Sequence, residues 1–216
     1  MGVLALGSHQ ERHGAVLPPD TDAKLGAHVA LEAAKRSGAK FLGVLFTSHE
    51  LPLIDTGRHH PLRRVLGELS RRLREAREVL GIEAAVLVNA HGGNKPLRDH
   101  LPSLERRLGM RLAFTTELVE LEGPHAGTGE VSAAAAAGFA DPSRLREHVD
   151  PERYPEVGFV GLKEARRRYP WAERHAREIL EKGVRVDLRL GREMLERAVE
   201  AAVGEVRRLA SELGTR

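Results

Sequence analysis

The sequence contains no cysteine, which removes disulfides, thiolate nucleophiles and thiolate metal sites together. Any metal must therefore be held by His, Asp, Glu or water. Aromatic residues are scarce, at 4% of 216 positions, so the interleaving of rings and cations that marks many nucleic-acid surfaces is missing. No run approaches the roughly 18 apolar residues of a membrane span. The apolar start, Met1 to Gly7, is too short for a signal peptide and lacks a basic leader. A cytoplasmic location is expected by default. The net charge of +3 is small, and basic residues mostly sit among acidic ones, as in Arg71 to Glu78, the pattern of a solvated helix face. Neither nucleic acid nor a membrane is expected as a partner; a small anionic substrate suits the slight positive excess.

What is present is ordinary for a globular protein, with 41% hydrophobic and 30% charged residues, so one domain spanning 1–216 with a sizeable core is expected. Short apolar runs alternate with amphipathic segments, predicting an α/β fold with a largely parallel sheet. Strands are expected at 3–6, 41–46, 84–88 and about 112–115. Asp22 could cap a helix reaching about Arg36, with Leu25, Val29 and Ala33 at helical spacing. Pro61 opens a long helix to about Leu80, and another follows the loop 89–94 as far as Leu108. A small-residue helix is expected at 129–139, its alanines allowing close packing on the sheet. Residues 141–155 read as an irregular excursion, and the amphipathic segment 191–213 closes the fold.

Three loops at predicted strand or helix ends carry the candidate chemistry, where sites of parallel α/β sheets gather. In the first, Glu11 and His13 are two apart, so extended backbone points both to one side. Pro18 and Pro19 stiffen the return that brings Asp22 beside them. Carboxylates and imidazoles without thiolates suit Zn²⁺, Mn²⁺ or Fe²⁺. The second loop, Asn89-Ala-His91-Gly-Gly-Asn94, sets a histidine at a strand end beside two glycines. The third, His125-Ala-Gly-Thr-Gly-Glu130, offers a proton carrier and a carboxylate in a first helical turn.

Each loop alone also has a plainer reading: a polar surface loop with a capping Asp22, a glycine turn, a capping Glu130. The Gly92-Gly93 pair could cradle a phosphate, but no Walker pattern surrounds it. Together the loops fit a two-metal site, with Asp22 the candidate bridge between ions about 3.5–4 Å apart and an activated water that attacks an amide carbonyl.

The stretch from Leu4 through Glu11-Arg-His13-Gly to Asp20-Thr-Asp22 resembles the opening motif of the creatininase family. Asn89-Ala-His91-Gly-Gly-Asn94 resembles its second motif, and His125-Ala-Gly-Thr-Gly-Glu130-Val-Ser132 its third. The resemblance implies a three-layer α/β/α sandwich hydrolysing a non-peptide or cyclic amide at two divalent ions. By position, Glu11 and His91 match ligands of one metal, His13 a ligand of the other and Asp22 the bridge. Glu130 matches an acid near the second ion, as ligand or base. Gly93 stands where creatininase carries an acidic residue, which argues against creatinine as substrate.

Further stretches, among them Gly14-Ala-Val-Leu-Pro, Tyr154-Pro-Glu-Val-Gly-Phe-Val-Gly-Leu and Gly183-Val-Arg-Val-Asp187, resemble an archaeal deformylase branch of that family. Its members remove formate from a ribosylaminopyrimidine 5′-monophosphate on the way to riboflavin and a deazaflavin coenzyme. Fe²⁺ is the metal this implies, with Zn²⁺ or Mn²⁺ as substitutes, and a homo-oligomer the assembly. In that chemistry His125 would protonate the departing ring amine. Arg58, His59 and His60 are candidates for the phosphate, unless they form a solvated turn before the helix at Pro61. Lys95 is a further phosphate candidate, and Asn94 joins the substrate-binding set. Two alternatives stand beside this reading: another family amidohydrolase, acting on creatinine or a modified peptide, and a non-catalytic binding protein on the same fold. Creatinine recognition would call for tryptophans, yet the only one, Trp171, lies outside all three motifs.

Overall fold

Alternate residues of the first strand face opposite sides of a sheet, and this period organises the fold. The computed structural model describes residues 1–214. In it β1 (Gly2–Leu6) lies between β2 (Lys40–Leu45) and β3 (Ala84–Asn89), and β4 (Arg111–Thr115) completes the order β2-β1-β3-β4. Every pairing is parallel. Val3, Ala5, Val86 and Val88 join one core with α1 (Thr21–Ser37) and α9 (Leu188–Gly214). Leu4, Leu6, Ala85 and Leu87 join another with α2 (Leu62–Leu80) and α3 (Leu101–Leu108). The two central strands are thus buried on both faces, which is why they read as continuous apolar runs. The layers are helix, sheet, helix, as expected.

Departures from the sequence reading are local. After His91 the chain forms a 3-10 stretch, Gly92–His100, with Pro96 inside it, before α3. The alanine helix α5 (Thr128–Ala136) ends earlier than expected and packs chiefly on α9 instead of on the sheet. The excursion 141–155 holds a short turn, Pro142–Arg144, and one helical turn, α6 (Leu145–His148). Three helices were not expected: α4 (Glu117–Glu122), α7 (Lys163–Arg168) and α8 (Pro170–Lys182). No helix among the described residues is long and apolar enough to cross a membrane.

Because all four strands run the same way, the loops that leave them emerge at one edge. These loops carry Glu11 and His13 after β1, Glu50 and Thr56 after β2 and His91 after β3, while His125 lies between α4 and α5.

Candidate metal centre

The loop after β1 is held in extended form against the loop after β2. Arg12 N–H donates to Thr56 O at 2.6 Å, Arg58 N–H to Gln10 O at 2.9 Å, and Glu11 pairs with Gly57 in an antiparallel bridge. The extended backbone turns Glu11 and His13 to the same side. Gly7 lets the first turn of α1 abut the end of β1, since a Cβ there would lie 2.5 Å from Asp22 O. Asp22 does not cap that helix. The cap position is Asp20, which makes no side-chain cap bond, and Asp22 sits in the first turn with its carboxylate facing His13 and His91.

The hydrogen-bond inventory of the two histidines decides what this cluster can hold. His91 Nε2 lies 2.8 Å from His49 O, an acceptor only, so that nitrogen carries the proton. In the neutral ring, Nδ1 then presents a lone pair to Asp22 Oδ2 at 2.8 Å and Glu11 Oε2 at 2.9 Å. His13 repeats the pattern. Its Nδ1 donates to Glu11 O at 3.1 Å, leaving Nε2 to face Asp22 Oδ1 at 3.1 Å and Glu130 Oε1 at 3.2 Å.

Lone pair against lone pair is repulsive, so each nitrogen requires either an added proton or a cation among these oxygens. All five side chains are buried, none more than 4% exposed, where unbalanced carboxylates are costly. Glu11 Oε2 also has no hydrogen-bond partner of good geometry. A backbone carbonyl fixing the far nitrogen is the usual support of a metal-ligating histidine. Among the described residues, donor atoms lie within 4.8 Å of one another in three groups that could hold a metal ion: Glu11, His59 and His91; Glu11, His13 and His125; and His13, Asp22 and Glu130.

The charges agree with this geometry. Without a metal, burial works against charge on His91, but Glu11 and Asp22 override it and hold the ring well above its ordinary pKa. Burial likewise opposes charge on His13, and Glu130 and Asp22 override it in the same way. Asp22 is pushed up, by burial and then by Glu11. Burial also pushes on Glu11, but His91 holds it well below the usual carboxylate range.

A second tier of bonds holds Glu11. Thr56 donates its one hydroxyl proton to Glu11 Oε1 at 2.7 Å, so at 3.1 Å it must accept from His59 Nε2–H. Burial pushes His59 down to about 4, which keeps that ring neutral. His59 also stacks on His91, ring centroids 5.2 Å apart. It therefore stands behind the centre, where it was expected to meet a phosphate. Arg58 is exposed and, with His60, does not line the cavity. Asn94, also expected to touch substrate, is fully buried; its Oδ1 accepts His49 N–H at 2.9 Å and so steadies the carbonyl that holds His91.

Over the centre opens a cavity of about 710 Å³, with Glu11, Asp22, His91 and Glu130 in its wall. Lys95 lines it as expected for a substrate contact, and so does His125. His125 Nε2 donates to Arg12 O at 2.8 Å, so Nδ1 is the nitrogen available for proton transfer. Several cavity residues escaped the sequence reading. Glu50 lies 3.6 Å from His91 Nε2, and burial raises its carboxyl to about 7. It occupies space that a side chain at Gly93 would need, since a Cβ there would lie 2.8 Å from Glu50 Oε1. Glu122 also lines the cavity; burial, then Glu130, pushes it well above the carboxylate range. Trp171 reaches the same cavity from α8. Its being the single tryptophan was the one signal available.

Comparison with known proteins places the chain in a family. Residues 1–206 match the model of the creatininase family, described as creatinine amidohydrolase. A protein of Methanothermobacter thermautotrophicus (strain Delta H) is 49% identical over 210 residues, 97% of this chain and 89% of its own. It is named 2-amino-5-formylamino-6-ribosylaminopyrimidin-4(3H)-one 5′-monophosphate deformylase. A protein of Methanothermus fervidus with the same name is 40% identical, covering 97% of this chain and 84% of its own. Among solved structures, a tryptophan-to-phenylalanine mutant creatininase superposes with a TM-score of 0.70 at 17% identity, over 96% of this chain and 90% of that one. One described as creatininase Mn gives 0.67 at 17% identity, with the same coverage.

Proposed function

Because the chain belongs to the creatininase family of metal-dependent amidohydrolases, we propose that it hydrolyses the formamide of 2-amino-5-formylamino-6-ribosylaminopyrimidin-4(3H)-one 5′-monophosphate. Formate leaves and the ring keeps a 5-amino group, a step toward riboflavin and a deazaflavin coenzyme. The observation that carries the hydrolytic reading is Asp22, whose two oxygens each face a ring nitrogen of a different histidine. The choice of amide follows relatives that bear this name across nearly the whole chain.

In this reading Glu11, Asp22 and His91 hold one ion, and His13, Asp22 and Glu130 the other. Fe²⁺ is the metal proposed; a nitrogen and oxygen donor set also accepts Mn²⁺ and Zn²⁺. Such ions polarise an amide carbonyl and bring the pKa of water near neutrality. The protein does the rest. His49 O and Glu11 O fix the tautomers of His91 and His13. His125, its Nε2–H tied to Arg12 O, takes up at Nδ1 the proton that the attacking water loses and passes it to the departing ring amine. Lys95 is the cation that lines the cavity and meets the phosphate. Gly93 lets the Glu50 carboxylate lie beside His91, where a larger side chain would displace it. The proposal is completed by a cytoplasmic homo-oligomer with no nucleic-acid or membrane partner.

The test is anaerobic formate release from that ribotide by protein reconstituted with Fe²⁺, Mn²⁺ or Zn²⁺. Formate from the wild type and none from His91→Ala supports the reading. Loaded protein that releases no formate with any metal refutes it.

A further inference from the structure

We propose that Phe159, Trp171 and His175 form the surface that receives the planar heterocycle of the substrate, which makes Trp171 a specificity-determining residue. The inference rests on the deformylase reading and adds the residues that recognise the ring.

The chain has few aromatics: five Phe, two Tyr and one Trp. Three of these eight, Phe159, Tyr169 and Trp171, gather in one cluster beside the metal centre. A path of rings leads there from the ligands. His13 and His125 have centroids 4.6 Å apart, His125 and Phe159 are stacked at 5.3 Å, and Phe159 meets Trp171 edge-on at 5.4 Å. His175 lies parallel to Phe159 at 6.1 Å and edge-on to Trp171 at 5.6 Å. His125, Phe159, Trp171 and His175 all line the cavity.

The wall is fixed in place. Gly158 N–H donates to His125 O at 2.7 Å, which ties Phe159 to the proton carrier. Phe159 itself is held at φ 61°, a left-handed backbone that costs energy in a residue with a side chain. Tyr169 packs on Trp171 at 5.6 Å, and its hydroxyl donates to Pro52 O at 3.1 Å, fastening the start of α8 to the loop after β2. Burial keeps the His175 ring below its ordinary pKa, so the wall carries no charge of its own.

The chemistry of the amide requires such a surface at this place. The formamide nitrogen is bonded directly to the pyrimidine, so a carbonyl at the ions puts the ring immediately beside them. A planar heterocycle gains roughly 1–3 kcal/mol from stacking on an aromatic side chain. A single ring, His125, separates the wall from His13.

Since Trp171 is the only tryptophan, its fluorescence reports on this wall alone. The metal-loaded protein is titrated anaerobically with the 5-amino ribotide that deformylation leaves, and separately with ribose 5-phosphate. The proposal predicts saturable quenching by the ribotide and none by ribose 5-phosphate. It also predicts that Trp171→Leu raises KM for formate release roughly tenfold or more with kcat changed less than KM, and that Trp171→Phe restores much of the loss. His175→Leu serves as a second variant should Trp171→Leu fail to fold. Unchanged fluorescence with the ribotide, or an unchanged KM in both leucine variants, overturns the proposal and leaves the deformylase reading standing. Absence of formate from the wild type instead overturns that reading, while the quenching still reports whether the wall takes a planar ring.

Discussion

The Nδ1 atom of His91 stands 2.8 Å from Oδ2 of Asp22, while its other nitrogen is committed to His49 O. No neutral tautomer satisfies both contacts, and the same holds for His13 against the other oxygen of Asp22. In metal-free protein the carboxylates answer this by holding both imidazoles protonated. A metal must replace those protons. Loading at pH 7 should therefore release about two protons per chain, measurable by calorimetry in buffers of different ionisation enthalpy. Metal uptake with no proton release would contradict the assignment of His13 and His91 as ligands.

Thr56 has no charge and no motif, yet it connects His59 to Glu11. Thr56→Val keeps the shape and removes both bonds. Metal affinity should fall on the order of tenfold to a hundredfold, with the melting temperature of the loaded protein lowered only modestly. Competition with a chelator measures it. Wild-type affinity would show that the hydroxyl does not hold Glu11 in place.

His125→Asn should bind metal normally and turn over slowly, by about 10²–10⁴-fold. Formate release under saturating substrate reads this directly. Wild-type turnover would remove His125 from the mechanism.

His148 ties two site loops together as a neutral ring. Its Nδ1 accepts from the backbone of Ala15 at 3.0 Å and Val16 at 3.2 Å, and its Nε2 donates to Ala126 O at 2.8 Å. Burial lowers its pKa, so the unfolded chain takes up the proton first on acidification. The stability His148 contributes is complete above the ordinary value of 6.5 and is lost as pH falls from there toward the folded value. His148→Gln should destabilise by on the order of 1–3 kcal/mol at pH 7.5. The gap to wild type should narrow below pH 6.5. Denaturant unfolding of the metal-loaded proteins at several pH values checks this, and a gap that widens with acid would contradict it.

The strands were legible because each central one is buried on both faces, and Glu11, His13, Asp22, His91 and Glu130 because they occupy strand-end and helix-start loops. What a sequence does not encode locally is which way a loop turns its side chains. His59 was thus read as facing substrate when it lies behind Glu11, and Asn94 when it lies beneath His49. Asp22 at a helix start left two readings open, a cap and a metal bridge, and its carboxylate turns to His13 and His91. Trp171 and His175 reach the cavity from α8, whose Arg- and Glu-rich sequence reads as a solvated surface, and Phe159 from the turn Val157–Phe159 ahead of α7. Thr56 and His49 act through a hydroxyl and a carbonyl, groups no spacing marks.

The central claim is that one carboxylate, Asp22, serves two ions. Elemental analysis of wild type and Asp22→Ala, reconstituted and desalted side by side, tests it most directly. The account predicts two ions per chain in the wild type and the loss of both in the variant, with circular dichroism showing the fold retained. Two ions still bound by folded Asp22→Ala would contradict it.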